Sequence, residues 1–232
     1  MHLSSATNRT AKLALLSGVI GLVAFAFLIA ALAAPPPAPD SLRRETQLFR
    51  WQDAGVILQA LTMVPVTLGI YRLTAMRSPE WSRLCVTLGL FAQAALIVSS
   101  ALIFTNTTSD MFYMAPVGLV GVWLLLVNRK QDGIVSTAVA WTGRVAGFGL
   151  LLIGAGFVLY GIFVAPTVFI GPLSNAEIES QSWTQANIIA HLGMAAGTVL
   201  GRAVYPIWAI LLGRHLLKIG GANLIETNLA VT

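Results

Sequence analysis

The chain has 232 residues, of which 56% are hydrophobic and 10% charged, with a formal net charge of +5. A soluble domain carries about 25% charged residues, so this composition cannot build a water-facing surface. It predicts an integral membrane protein instead. The basic excess is then a topological signal, since Lys and Arg collect in loops that stay cytoplasmic, and nucleic acid is excluded as a partner. The single cysteine, Cys85, has no internal disulfide partner and reads as a packing residue.

Apolar runs, each about 20 residues long and therefore about the length that spans a bilayer core, follow one another along the chain. The first is Leu13–Ala34, preceded by Arg9 and Lys12. It ends on Ala31-Leu32-Ala33, which resembles a signal-peptide cleavage site, but it is long enough to span and is expected to be a retained first helix. Pro35-Pro36-Pro37-Ala38-Pro39 stops it, because proline cannot continue a helix. Asp40 is then expected to cap a short interfacial helix carrying Leu42, Leu48, Phe49 and Trp51. The next spans are Ala54–Leu73, Leu84–Thr105, a short one at Phe112–Val127, then Val139–Ala165 and Ile188–Leu212. The expected fold is all-α, one polytopic bundle of six transmembrane helices forming a single domain.

Arg9 and Lys12, then Arg72, Arg77 and Arg83, then Arg129, Lys130 and Arg144, and finally Arg214 and Lys218 fall on one side of such a bundle. That side is expected to be cytoplasmic, with both termini on it. The opposite loops hold Asp110, Glu177 and Glu179 and, after the first, no cation. In that first loop Arg43, Arg44 and Arg50 are offset by Asp40, Glu45 and Asp53. Trp51, Tyr113 and Trp183 near one set of helix ends, and Tyr71, Trp81 and Trp141 near the other, match the two aromatic belts of a membrane protein.

The sixth span carries the candidate site. At 100° per residue, His191, Thr198, Arg202 and Tyr205 fall within about 60° of one another. Gly193, Gly197 and Gly201 occupy another face, four residues apart. Small residues at that spacing let a second helix approach closely. The fifth span, with Gly143, Gly147, Gly149, Gly154, Gly156 and Gly161, is the expected neighbour. Arg202 sits mid-span, where a cation is costly and needs a partner. Gln93 and Gln59 are the candidate neutral partners, and an anionic headgroup or substrate is another. Snorkelling toward phosphates, helped by a kink at Pro206, is the structural alternative. His191 is a candidate ligand for haem or chlorophyll. His2 and His215 lie at the opposite end, so one subunit cannot supply a bis-histidine pair.

No nucleophile elbow, zinc-protease helix, intramembrane carboxylate pair or Walker loop is present, so no catalytic or metal site is expected. Arg9-Thr10-Ala11-Lys12 running into the first span, Gln52-Asp53 entering the second, and Tyr205-Pro206-Ile207-Trp208 leading to Gly213-Arg214 resemble a group of uncharacterised bacterial integral membrane proteins with six helices. That resemblance implies a bacterial cytoplasmic (inner) membrane and carries over no activity, cofactor or functional residue. Three functions follow as expectations. The first is a non-catalytic accessory or scaffold subunit packed beside other membrane subunits. The second is a small-solute or lipid transporter or binder with Arg202 and Gln93 lining the site. The third is a pigment or haem subunit using His191.

Overall fold

A computed structural model describes residues 2–34, 47–75, 78–105, 107–109, 111–129, 135–169 and 184–229, with side chains given within residues 5–220. The described residues are helical and include no strand. The elements are α1 (His2–Ala33), α2 (Gln47–Thr74), α3 (Pro79–Phe104), α4 (Met114–Val127) and α5 (Thr137–Phe163). A 3₁₀ turn (Pro166–Phe169), α6 (Gln185–Gly197), a π turn (Thr198–Arg202) and α7 (Val204–Leu229) follow. Five segments are long and apolar enough to cross a membrane: Ser5–Ala33, Gln47–Thr74, Pro79–Phe104, Thr137–Phe163 and Gln185–Gly220. Met114–Val127 is apolar but shorter. The chain is a membrane protein.

Helix starts follow local chemistry. Pro79 stands in the first turn of α3, where its missing N–H costs nothing. Ser136 and Thr184 cap α5 and α6 by accepting the backbone N–H of Val139 and Asn187. Two boundaries differ from expectation. α1 runs from His2, so Arg9 and Lys12 lie on the helix rather than before it. Leu48, Phe49 and Trp51 are the first turns of α2 itself, because nothing between Gln47 and Ala54 breaks the helix. Asp40, Leu42, Arg43, Arg44, Glu45, Arg77, Asp110, Lys130, the 172–182 loop with its Glu177 and Glu179, and Trp183 lie outside the described residues.

α1 with α2, α4 with α5, and α5 with α6 pack antiparallel, while α6 continues through the π turn into α7, and the closest approaches fall at glycines. A Cβ on Gly55 would stand 2.7 Å from that of Ala24, one on Gly118 2.9 Å from the Gly154 backbone, and one on Gly197 2.6 Å from the Gly149 carbonyl. Between bilayer helices such close packing and interhelical hydrogen bonds drive association, because lipid tails are as apolar as the core. Of the glycines expected to join the fifth and sixth spans, Gly197 and Gly201 meet α5 at Gly149, whereas Gly143 and Gly147 face Asn128 and Gly121 of the α4 arm. At Gly193 a Cβ would meet only the Leu152 carbonyl oxygen, at 3.9 Å.

The core is centred on Trp123, Trp208, Met63, Val66 and Val120. The Trp123 and Trp208 rings meet edge to face at 5.9 Å, and Tyr205 stacks on Trp208 at 5.9 Å. A second cluster joins Phe157, Tyr160 and Val168, with Phe169 edge-on to Phe157 at 5.4 Å. The exterior is apolar too: Phe91, Phe148, Phe163, Leu192 and Val199 are exposed, as expected where lipid is the solvent.

Asn128 closes the end of the bundle at which the chain starts. Its Nδ2 donates to the Leu124 carbonyl (2.8 Å), and its Oδ1 accepts from Trp208 Nε1 (3.4 Å). Arg144 then donates to the last carbonyls of this arm, Nε to Asn128 O (3.0 Å) and one terminal nitrogen to Arg129 O (3.2 Å). That places a cation at a helix C-terminus, where the exposed carbonyls favour it.

Candidate functional site

The site lies in the half of the bundle that holds the C-terminal end of α1, and it is organised by one irregular turn. Pro206 has no N–H to offer the Arg202 carbonyl, and its ring would clash with that carbonyl in a regular helix. The π turn Thr198–Arg202 ends on the residue whose carbonyl Pro206 leaves without that donor. Such bulges widen the helix locally and recur at functional sites. α1 packs along α7 but parts from α6 above this turn, and a cavity of about 210 Å³ occupies the gap.

Leu28, Leu32, Phe49 and the flexible side chains of Met111, Met114 and Met194 form its apolar wall. Its polar groups belong to Gln52, Tyr113, His191, Thr198 and Arg202. A smaller cavity, about 50 Å³, lies deeper and is lined by Gln59 and Tyr205 among mainly apolar residues. Leu28, Gln52 and Arg202 border both cavities. Arg202 therefore stands at the junction of the two.

The donors around that junction lack acceptors. Arg202 is half-buried, with its guanidinium carbon 4.6 Å from the centre of the Tyr113 ring. That cation–π contact is worth about 0.5–2 kcal/mol. It satisfies no N–H, and the buried Nη2 has no hydrogen-bond partner among the described residues. Gln52 (2% exposed) and Gln59 (8% exposed) each leave Nε2 buried and unpartnered. An unsatisfied buried group costs about 1–3 kcal/mol, and more when charged. Three such groups belong to residues lining one pair of cavities, a polarity pattern that suits an acceptor the described residues do not supply.

The other expected site residues take up separate places. Gln93, fully buried, donates from Nε2 to Tyr205 Oη (3.4 Å) and lines neither cavity. The partner expected for Arg202 thus serves Tyr205 instead, a residue that lines the smaller cavity. Thr198 donates back to the Met194 carbonyl at 2.8 Å, supporting the turn that precedes the bulge. The His191 ring has Nδ1 3.0 Å from the Asn187 carbonyl and packs edge to face on Tyr160 at 5.4 Å. It looks into the larger cavity from the side of α6.

Two contributors escaped the sequence reading. Gln52 was visible only as part of the entry to the second span, although its spacing of seven from Gln59 already placed both on one helical face. Tyr113 fits a membrane-interface ring by sequence, yet it is 7% exposed and lies under the guanidinium. Among the described residues no group of three or more His, Cys, Asp or Glu side chains is placed to hold a metal ion.

No family model, curated protein or solved structure matches this chain. The functional reading therefore rests on the geometry of the Arg202 junction.

Proposed function

We propose that this chain is a non-catalytic, multi-pass protein of a bacterial cytoplasmic membrane. In this reading it has six spans and cytoplasmic termini, and its bundle binds a small solute or lipid at Arg202. The convergence of the unpartnered donors of Arg202, Gln52 and Gln59 on two adjoining cavities carries the reading. A bundle selected only for packing would fill or pair those groups, because each costs stability while it stays unsatisfied. The orientation rests on the cation distribution, which puts the Arg202 cavity in the outer half.

Cysteine labelling in a Cys85→Ser background tests both parts. Cysteines at Thr108 and Ser180 are expected to label only from outside, and one at Ser78 only from inside. Thr198→Cys, on the cavity wall, is expected to react about tenfold faster with an anionic than with a cationic thiol reagent of equal size, and to lose that preference when Arg202 is replaced by Gln. A reversed side of labelling would overturn the orientation. A Thr198→Cys unreactive to both reagents would overturn the cavity.

A second reading, an accessory subunit of a larger membrane complex, draws on the face of α6 that is exposed among the described residues. Gly193 is loosely packed there, with only the Leu152 carbonyl oxygen within reach of a Cβ, at 3.9 Å, and Leu192 and Ala196 are exposed. A larger assembly recovered from mild detergent, broken by Gly193→Leu, would favour it over the standalone binder.

A further inference from the structure

The charges and shape of the Arg202 junction narrow the ligand further, granted the binding site proposed above. Among the described residues, Arg202 is the only permanently charged side chain lining either cavity. Asp53, the buried carboxylate next to Gln52 on α2, lies outside both linings, and Arg202 forms no ion pair among the described residues. One fixed cation beside two neutral amide donors balances one negative charge. A dianion would leave a second charge uncompensated in a low-dielectric setting, which is costly.

The walls specify the rest of the molecule. Away from the donors the larger cavity is lined by Leu28, Leu32, Phe49 and three methionines, whose thioethers adapt to irregular apolar shapes. It lies where α1 and α6 part. Leu32 is half exposed on one bank, and Leu192 and Val199 are exposed on α6 and its π turn. The opening is thus bordered by the apolar exterior of the bundle. A ligand whose charged end reaches Arg202 by this route has an apolar end lying against lipid-facing side chains.

We infer that the site takes a monoanionic amphiphile. One carboxylate or phosphodiester accepts from Arg202 Nη2 and the Nε2 atoms of Gln52 and Gln59, and the apolar chain runs out between α1 and α6. This chemistry has two sources, a free fatty carboxylate and the headgroup region of an anionic phospholipid.

The test uses full-length protein stripped of lipid in an uncharged detergent, with thermal unfolding followed at pH 8 as amphiphiles of matched chain length are added. Dodecanoate or phosphatidylglycerol is expected to raise the midpoint, and dodecanol to leave it unchanged. Dodecyl phosphate, a dianion at this pH, is expected to bind at least tenfold more weakly than dodecanoate. A response to phosphatidylglycerol alone assigns the phospholipid source, and a response to dodecanoate alone assigns the free carboxylate. Arg202→Gln should abolish the response. Gln52→Leu, which keeps the cation, should weaken it about tenfold, as loss of one hydrogen bond to a charged group predicts. Equal binding of dodecanol or dodecyl phosphate, still abolished by Arg202→Gln, would overturn the monoanion while leaving the Arg202 site standing. If no amphiphile shifts wild type more than it shifts Arg202→Gln, both the inference and the binding site fall.

Discussion

Arg202→Met is expected to raise the stability of the ligand-free protein by about 1 kcal/mol while abolishing stabilisation by any bound anion. The sign comes from two opposed terms. The substitution removes a buried, unpartnered guanidinium nitrogen, whose cost is about 1–3 kcal/mol. It also removes the cation–π contact to Tyr113, worth about 0.5–2 kcal/mol. Methionine keeps most of the apolar stem, so the wall that Arg202 forms with Leu28 and Leu150 along the smaller cavity keeps its apolar bulk. Unfolding in mixed detergent, before and after lipid stripping, reads both effects. A residue placed for structure alone gives the opposite result, a loss of stability in stripped protein.

Trp208→Ala is expected to have the largest effect on stability of any single change in the bundle, a loss of about 3 kcal/mol. The side chain is 1% exposed, meets Trp123 edge to face, stacks on Tyr205 and donates to Asn128 Oδ1. Truncation opens a cavity at the meeting point of α3, α4 and α7. The estimate takes the low end of the range for large aromatic side chains, because transfer to lipid is less costly than transfer to water. Trp208→Phe keeps a ring in place and leaves only the Asn128 oxygen without its donor, so about 1 kcal/mol is expected. Equal losses in the two variants would show that the hydrogen bond, not the packing, holds this end together.

The long helices are legible because each contains an apolar run of spanning length, whereas Pro79, Ser136 and Thr184 start α3, α5 and α6 ahead of the expected Leu84, Val139 and Ile188. Less legible was how far they extend. Arg9 and Lys12 are charged but good helix formers, so α1 continues through them where hydropathy alone ends it. The glycine pattern identified close approach without saying to which neighbour. Gly143 and Gly147 sit on the same helix as Gly149 and Gly156, and only the three-dimensional rotation sends the first pair toward α4.

At the site, Arg202, Thr198 and His191 were legible as polar residues on one side of an apolar helix, and the structure brings all three to one cavity. Their shared face was derived for a regular helix, and the π turn changes the phase between Thr198 and Tyr205. Pro206 marked a place of irregularity, but proline alone does not tell a kink from a bulge. Gln93 was expected at Arg202 because both were mid-span. Depth is readable from hydropathy and rotation about the helix axis much less so, and here rotation pairs Gln93 with Tyr205.

Native mass spectrometry of gently extracted protein tests most directly whether Arg202 holds a ligand that the chain itself does not supply. Wild type is expected to carry a non-covalent adduct of defined mass, retained at collision energies that strip bulk detergent and absent from Arg202→Gln prepared in the same way. Wild type and Arg202→Gln flying as equally bare chains, or carrying the same adducts, would contradict it.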